Sequence, residues 1–314
     1  MSYTTITYKK NGNNIEWIDI VQPTKKDIQR IESEYALQHI DASDALQPTT
    51  HLKVTRRETY LFLAALFPLY HEKTKTISTE EIDFFIGSNF LITIHEGRLP
   101  LFQKLVQHCQ QQEEQRNLLF SNHVEHLFFQ LLNHLLDSVY PLIDSVNAQL
   151  FELERKIFGG HTMKNLVTDI LILRRNITDI RRAMRNYSTI IRHILNQEDG
   201  EKVMQFTKYH LRLEELIDSA NEIWGMLESN KETIEALEDA NDALISHTLN
   251  NVMKTLTAAS VVLLPMGVLA GIFGMNARHI PFVGHPLDFW IITTLLFCVS
   301  SGIIFLFWKK RWLQ

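Results

Sequence analysis

Two charge-free apolar runs near the C-terminus constrain this chain more than anything else in it. Thr255 to Asn276 reads TLTAASVVLLPMGVLAGIFGMN, and Phe289 to Trp308 reads FWIITTLLFCVSSGIIFLFW. Each has about 20 residues, and at about 1.5 Å per residue a helix of that length reaches about 30 Å, the thickness of a bilayer core. The competing reading is a buried helix of a soluble protein. Such helices rarely carry one run of this kind, and this chain carries two. The flanks also favour the membrane. Lys254 precedes the first run, and Lys309, Lys310 and Arg311 follow the second, with Trp308 and Trp312 as interfacial aromatics. Basic flanks are expected in the cytoplasm, so an even number of spans puts both termini there. Only residues 277–288, ARHIPFVGHPLD, are then left outside.

The rest of the composition excludes several classes. The net charge of -5 over 314 residues gives no excess of basic charge for a nucleic acid to meet. The opening MSYTTITYKKNGNNIEW lacks the apolar core of a secretory signal. Cys109 lies in a polar region and Cys298 inside an apolar run, so no disulfide is expected between them, which suits a reducing compartment. There is no Gly-rich phosphate loop, nucleophile elbow, HExxH or Cys cluster, and an enzyme is not expected.

Residues 1–122 alternate between strand and helix signals and read as an α/β domain. IEWIDIV (Ile15–Val21) predicts a strand. QPTKKDIQRIESEYAL predicts a helix capped by Thr24. TYLFLAALFPL (Thr59–Leu69) is ambiguous, its Pro68 favouring a strand edge or a break. IDFFIGSNFLITIHE (Ile82–Glu96) predicts two strands around Gly87–Ser88–Asn89. Residues 123–254 are helical in pattern. One helix is expected from His123 to Phe158, ending at Gly159–Gly160. A second is expected from Met163 to Leu195, with Gly200 in its cap region. A third begins near Glu201 and meets no strong breaker before Pro265, so it continues into the first span as a helix of roughly 100 Å. Its stripe of Ile223, Leu227, Asn230, Ile234, Leu237, Asn241 and Leu244 is spaced as in a coiled coil. That stripe packs against other copies, against this chain's own second helix, or against each at a different height.

Two helices cannot enclose an aqueous path, so a transport role requires several copies. Ser260, Gly267, Gly271 and Gly274 let the first span approach copies of itself closely. Asn250, Met253, Leu256 (or Thr257), Ser260, Leu264 and Gly267 recur every three or four residues and would line one face. The face is mostly apolar, which suits a gate that closes by dewetting.

The segment NNVMKTLTAASVVLLPMGVLAGIFGMN, a short loop, a second span and the tail KKRWL resemble the CorA family of divalent-cation transporters. Gly274–Met275–Asn276 is that family's signature, and its position at the end of the penultimate span makes the match specific. IEWIDIVQPT and EIDFFIGSNFLITIHE also resemble the family's cytoplasmic domain, so the resemblance covers nearly the whole chain. It implies a funnel-shaped homopentamer in the plasma (prokaryotic inner) membrane. In that assembly an α+β cytoplasmic domain in αβα layers passes through long helices into two C-terminal spans, 255–276 and 289–308, followed by the basic tail 309–314. It also implies Mg²⁺ uptake, often with Co²⁺ or Ni²⁺ as alternative ions, and no cofactor beyond the transported and regulatory ion. Gly274, Met275 and Asn276 would form the selectivity filter. Mg²⁺ dehydrates reluctantly, and a ring of neutral Asn276 amides would hold its hydration shell without stripping it. Glu215, with Asp218 second, falls near the family's cytoplasmic regulatory metal position, where bound Mg²⁺ would bridge subunits and hold the pore closed.

The entrance departs from the family's pattern. The usual Met-Pro-Glu-Leu loop is replaced by one carrying Arg278, His279, His285 and Asp288, with no Glu. Gly267 stands where many relatives carry a polar residue. Arg278 would oppose cations, whereas two histidines suit a borderline-soft ion such as Zn²⁺, as in the family's ZntB-like, proton-coupled branch. Zn²⁺ transport is therefore the alternative to Mg²⁺ transport. A membrane-anchored scaffold or sensor without ion flux is the second alternative. His123 and His126 share a helix face and read as a surface pair.

Overall fold

The computed structural model describes residues 2–10, 13–49, 51–120, 123–159, 163–195, 209–275 and 286–309. Six strands form one sheet: β1 (Ser2–Lys10), β2 (Asn13–Val21), β3 (Lys53–Arg56), β4 (Tyr60–His71), β5 (Thr76–Gly87) and β6 (Phe90–His95). Their order is β1-β2-β6-β5-β4-β3, with only the β2–β6 pair parallel. The expected pair around Gly87–Ser88–Asn89 is the β5–β6 hairpin.

The central strands are apolar on both faces. In β4, Leu61, Leu63, Ala65 and Phe67 join one core cluster, while Tyr60, Phe62 and Ala64 join the other. Burial on both sides removes the polar alternation that marks a strand in sequence, which is why TYLFLAALFPL reads ambiguously. Pro68 sits inside β4 opposite Thr79 of β5, while β3 reaches only Leu61–Ala64. Beyond Ala64 that side of β4 is a local edge, where proline is tolerated.

The two clusters define two helical layers. On one face α1 (Lys25–Glu34) and α2 (His39–Asp44) place Ile28, Ile31 and Ala42 against Ile18, Phe62, Phe85 and Ile92. Thr24 caps α1 as its sequence predicts. Its Oγ1 accepts the Asp27 N–H at 3.3 Å, and Asp27 Oδ2 accepts the Thr24 N–H at 2.9 Å. On the other face lie α3 (Pro100–Gln111), α4 (Glu113–Leu119), α5 (Val124–Asp137), α6 (Tyr140–Phe158), α7 (Met163–Met184), α8 (Tyr187–Leu195) and the first part of α9 (His210–Phe273). The result is an α+β arrangement in three layers.

Two helices expected as single are each divided. The run from His123 to Phe158 breaks at Ser138–Val139, because Pro141 lacks the N–H that a continuing helix needs and starts α6 instead. The run from Met163 to Leu195 breaks at Arg185–Asn186, where Asn186 takes a left-handed φ of 67°. The expected cap at Gly200 and the start near Glu201 lie outside the described residues.

The chain divides into two compact units, residues 1–237 and 238–314. In the first, the α9 stripe of Ile223, Leu227, Ile234 and Leu237 belongs to the chain's own core. Of the two partners the stripe allowed, this chain's own helices cover it that far. Arg181 of α7 holds it in register, with an ion pair to Glu228 at 2.6 Å and its guanidinium 5.3 Å from the Trp224 ring centroid. Leu244 is exposed. The second unit contains the rest of α9, with Pro265 inside it, and α10 (Asp288–Lys309).

Candidate ion path and metal sites

Large apolar side chains stand uncovered along both C-terminal helices. Met253, Leu256, Leu263 and Leu264 of α9 and Phe289, Trp290, Phe297 and Phe305 of α10 are all exposed, Leu264 at 72%. The most apolar window of each helix has 0% of its residues buried. A soluble core helix hides such residues, since each one left in water forgoes about 1.5–3 kcal/mol. Several hydroxyls of these segments are satisfied within their own helices. Ser260 donates to the Leu256 carbonyl at 2.9 Å, Thr293 to Phe289 at 2.8 Å and Thr294 to Trp290 at 2.8 Å. With their polar hydrogens turned inward, both helices offer apolar surfaces suited to lipid.

The membrane part of α9 has two distinct faces. Ala258, Val262, Pro265, Met266, Leu269 and Phe273 are half-exposed and fall on one side of the helix. Asn250, Met253, Leu256, Ser260, Leu264 and Gly267 are exposed, and at about 100° per residue they fall on the opposite side. Phe273 lines a cavity of about 490 Å³ with Trp290, Ile291, Thr294, Leu295 and Cys298, which brings α10 beside the end of α9. A Cβ added at Gly267 or Gly271 would meet no atom of this chain within 4 Å. Within one chain nothing requires glycine at either place.

Of the signature, the structure describes Gly274 and Met275. Helical geometry ends at Phe273. The Gly274 N–H still bonds the Ala270 carbonyl at 2.9 Å, while the Met275 N–H closes a shorter, three-residue turn onto the Ile272 carbonyl at 3.3 Å. A Cβ at Gly274 would lie 3.1 Å from the Ala270 carbonyl oxygen, so the helix closes against a glycine. Asn276, Arg278, His279 and His285 lie outside the described residues. Asp288 opens α10, where its Oδ1 accepts the Phe289 N–H at 2.6 Å and its charge favours the helix N-terminus.

Glu215 and Asp218 are exposed near the start of α9. Glu215 lines a cavity of about 330 Å³ with Phe129, Gln130, Asn133, Arg212 and Leu216. Among the described residues, no group of three or more His, Cys, Asp and Glu side chains comes together to hold a metal within one chain. Arg212 reaches His126 Nδ1 at 2.8 Å. Burial and then the Arg212 charge hold His126 below the ordinary histidine value. His123 and His126 each approach the Tyr209 ring, at 6.3 and 6.4 Å, so the histidine pair sits in an aromatic and cationic setting unlike a metal site. The two cysteines are free, Cys109 buried and Cys298 exposed. Sequence reasoning missed Asp83, a carboxyl inside the buried strand ISTEEIDFFIG. The available signal was an acid at an inward position of an otherwise apolar run.

The family model described as "CorA-like Mg2+ transporter protein" matches residues 12–311. The "Cobalt/magnesium transport protein CorA" of Methanocaldococcus jannaschii is 21% identical over 331 residues, covering 99% of each chain. Its solved structure superposes with a TM-score of 0.81 at 19% identity, over 95% of this chain and 91% of that one. The full-length structure of CmaX superposes with a TM-score of 0.75 at 18% identity, over 97% and 91%. The "Zinc transport protein ZntB" of Pectobacterium atrosepticum is 24% identical over 181 residues, 57% of this chain and 53% of that one. Two uncovered spans behind an αβα unit, and a family match over nearly the whole length, place this chain in the CorA-like Mg²⁺ transporter family, whose members move divalent metal ions across a membrane and are not enzymes.

Proposed function

We propose that five copies of this chain surround a shared axis and form a path for divalent cations, with Mg²⁺ the principal ion and Co²⁺ and Ni²⁺ alternatives. The observation that carries this reading is the exposed face of Asn250, Met253, Leu256, Ser260, Leu264 and Gly267, opposite the half-covered face of the same helix. An apolar face with Asn250 at one end and Gly274–Asn276 at the other gives a dry constriction between two polar mouths. Such a constriction passes a hydrated ion when wide and excludes water when narrow. Gly267 and Gly271, unneeded within the chain, allow neighbouring copies to approach closely.

In this reading Gly274, Met275 and Asn276 select the ion. Glu215 and Asp218 reach a carboxylate of a neighbouring copy and form the regulatory site that one chain lacks. Both termini face the cytoplasm of a plasma membrane, and Arg278, His279, His285 and Asp288 line the outer entrance. An inside-negative potential then favours cation entry, at about 2.3 kcal/mol per charge per 100 mV. Zn²⁺ transport, proton-coupled as in the ZntB-like branch, is the second reading, supported by His279 and His285 and by the ZntB relative.

Proteoliposome uptake of Mg²⁺, Co²⁺ and Zn²⁺ tests both readings. Asn276→Ala is expected to lower flux at least tenfold for the transported ion. Normal transport by that variant removes Asn276 from the filter. Flux of Zn²⁺ alone, scaling with a pH gradient, selects the second reading.

A further inference from the structure

A second acidic site lies in the sheet unit and uses none of the residues assigned to the ion path. Ala45, Pro48 and Thr49 on one side, and Glu80, Glu81 and Asp83 of β5 on the other, line a cavity of about 350 Å³. Asp83 is 3% exposed, set between Ala64 of β4 and Ile94 of β6. Its Oδ1 has no hydrogen-bond partner. Glu81, two residues earlier on the same face of β5, lines the same cavity as the Asp83 carboxyl. Glu81 is itself fixed, its Oε2 accepting the Thr49 N–H at 2.6 Å and its Oε1 the Thr49 hydroxyl at 2.9 Å.

The charged groups around this pair are committed elsewhere. Asp44 of α2 pairs with Lys53 at 2.5 Å. Glu80 accepts the Arg98 N–H at 3.1 Å and faces its guanidinium at 3.8 Å. His95 Nε2 meets Asp19 at 3.0 Å while its Nδ1 accepts the Gly97 N–H at 3.0 Å, so both ring nitrogens are engaged away from the pair. Among the described residues no lysine or arginine pairs with Glu81 or Asp83. Burial, then the charge and hydrogen bond of Glu81, then the Asp44 charge, hold the Asp83 carboxyl well above the usual range. The buried Asp83 carboxyl and the half-buried Glu81 carboxyl thus share one end of the cavity with no lysine or arginine paired to either.

We propose that the Glu81–Asp83 pair binds a small divalent cation in this cavity. Hard cations such as Mg²⁺ and Mn²⁺ are held by one or two carboxylates with water in the remaining positions. A cavity of about 350 Å³ admits the ion with several waters of about 30 Å³ each. The unpartnered Asp83 Oδ1 supplies the inward ligand and the Thr49-anchored Glu81 the fixed one. Carboxylates coordinate in their deprotonated form, so any proton held by the pair leaves to solvent as the metal is taken up. A neutral ligand would satisfy the Oδ1 atom but leave the charge of the pair uncompensated.

The test uses the full chain in detergent, stripped with chelator, in a Glu215→Gln/Asp218→Asn background that silences the candidate site on α9. Bound Mn²⁺ is counted from the free-Mn²⁺ electron paramagnetic resonance signal. Asp83→Asn, which keeps the size of the side chain, is expected to bind one fewer Mn²⁺ per chain and to lose the accompanying proton release. Excess Mg²⁺ is expected to displace the same ion from the parent protein. Equal Mn²⁺ counts in the parent and Asp83→Asn overturn the proposal. If Asp83→Asn does not fold, Glu81→Gln, which can still accept the Thr49 hydroxyl, is expected to show the same loss, and an unchanged count there overturns it equally. The site is independent of the transport reading, because the flux of Asn276→Ala is measured separately.

Discussion

Asp41 is fully buried, and its two oxygens take Arg57 Nε at 2.7 Å and an Arg57 terminal nitrogen at 2.8 Å, while the Tyr60 hydroxyl donates to it at 2.7 Å. Burial pushes its carboxyl up, but the hydrogen bonds from Arg57 and Tyr60 outweigh that and hold it below the usual carboxylate range. Arg57→Ala leaves this carboxylate without its cation and is expected to cost about 3 kcal/mol, seen as a lower urea midpoint. A depressed carboxyl stabilises the fold above about pH 4 and loses that contribution as pH falls through its folded value. The gap between the parent and Arg57→Ala should therefore narrow at pH 3. Asp83 has the opposite sign. Its carboxyl is raised, so folding favours the proton and stability declines as pH rises above about 4. In metal-free buffer Asp83→Asn should melt above the parent at pH 8 and close to it at pH 4. Thr24→Ala, which removes the α1 cap, should cost about 1 kcal/mol by the same melts. The residue-level contrast explains what the sequence could reveal. Thr24 and Asp27 are three positions apart, so their bond is readable directly. Glu81 is two positions from Asp83, but it meets Thr49 across 32 positions only through the path of the chain after α2, which no local spacing encodes.

Elements were legible where one face differed from the other. The amphipathic α1 was readable for that reason, while the β5–β6 hairpin was readable from its Gly87–Ser88–Asn89 turn between two short apolar runs. β4 was not, because both its faces are buried, and its assignment depends on pairing with β5 along its whole length. The divisions between α5 and α6 and between α7 and α8 were missed because each flanking run keeps helical periodicity through the break. Asn230 tests what the α9 stripe does. It lies within that stripe, 7% exposed, and its amide nitrogen has no partner. A buried unpaired amide costs about 1–3 kcal/mol, so Asn230→Leu is expected to raise the melting temperature by several degrees. A lower melting temperature would mean that the amide is satisfied in the assembled protein by a group beyond this chain.

The whole molecule joins a unit with two buried apolar cores to one whose apolar side chains stand uncovered. Residues 1–237 contain the sheet and both core clusters, whereas the apolar windows of the spans have no buried residues. A fragment of residues 1–237 is expected to be soluble without detergent and to melt cooperatively. The full chain is expected to require detergent or lipid, checked by light scattering of both. The spans were legible from composition alone, since bilayer thickness sets a length that sequence records. The number of copies was not legible, because it depends on surfaces that meet only between chains.

The border between the two units, Leu237–Glu238, falls inside α9 and not in a loop. The first amides of residues 238–314 therefore bond to carbonyls of the preceding turn, which belongs to the other unit. If residues 1–237 unravel, those amides become a raw helix end with four unmatched N–H groups. Loss of order then travels as a fraying front along a single helix, with no linker at the border to stop it.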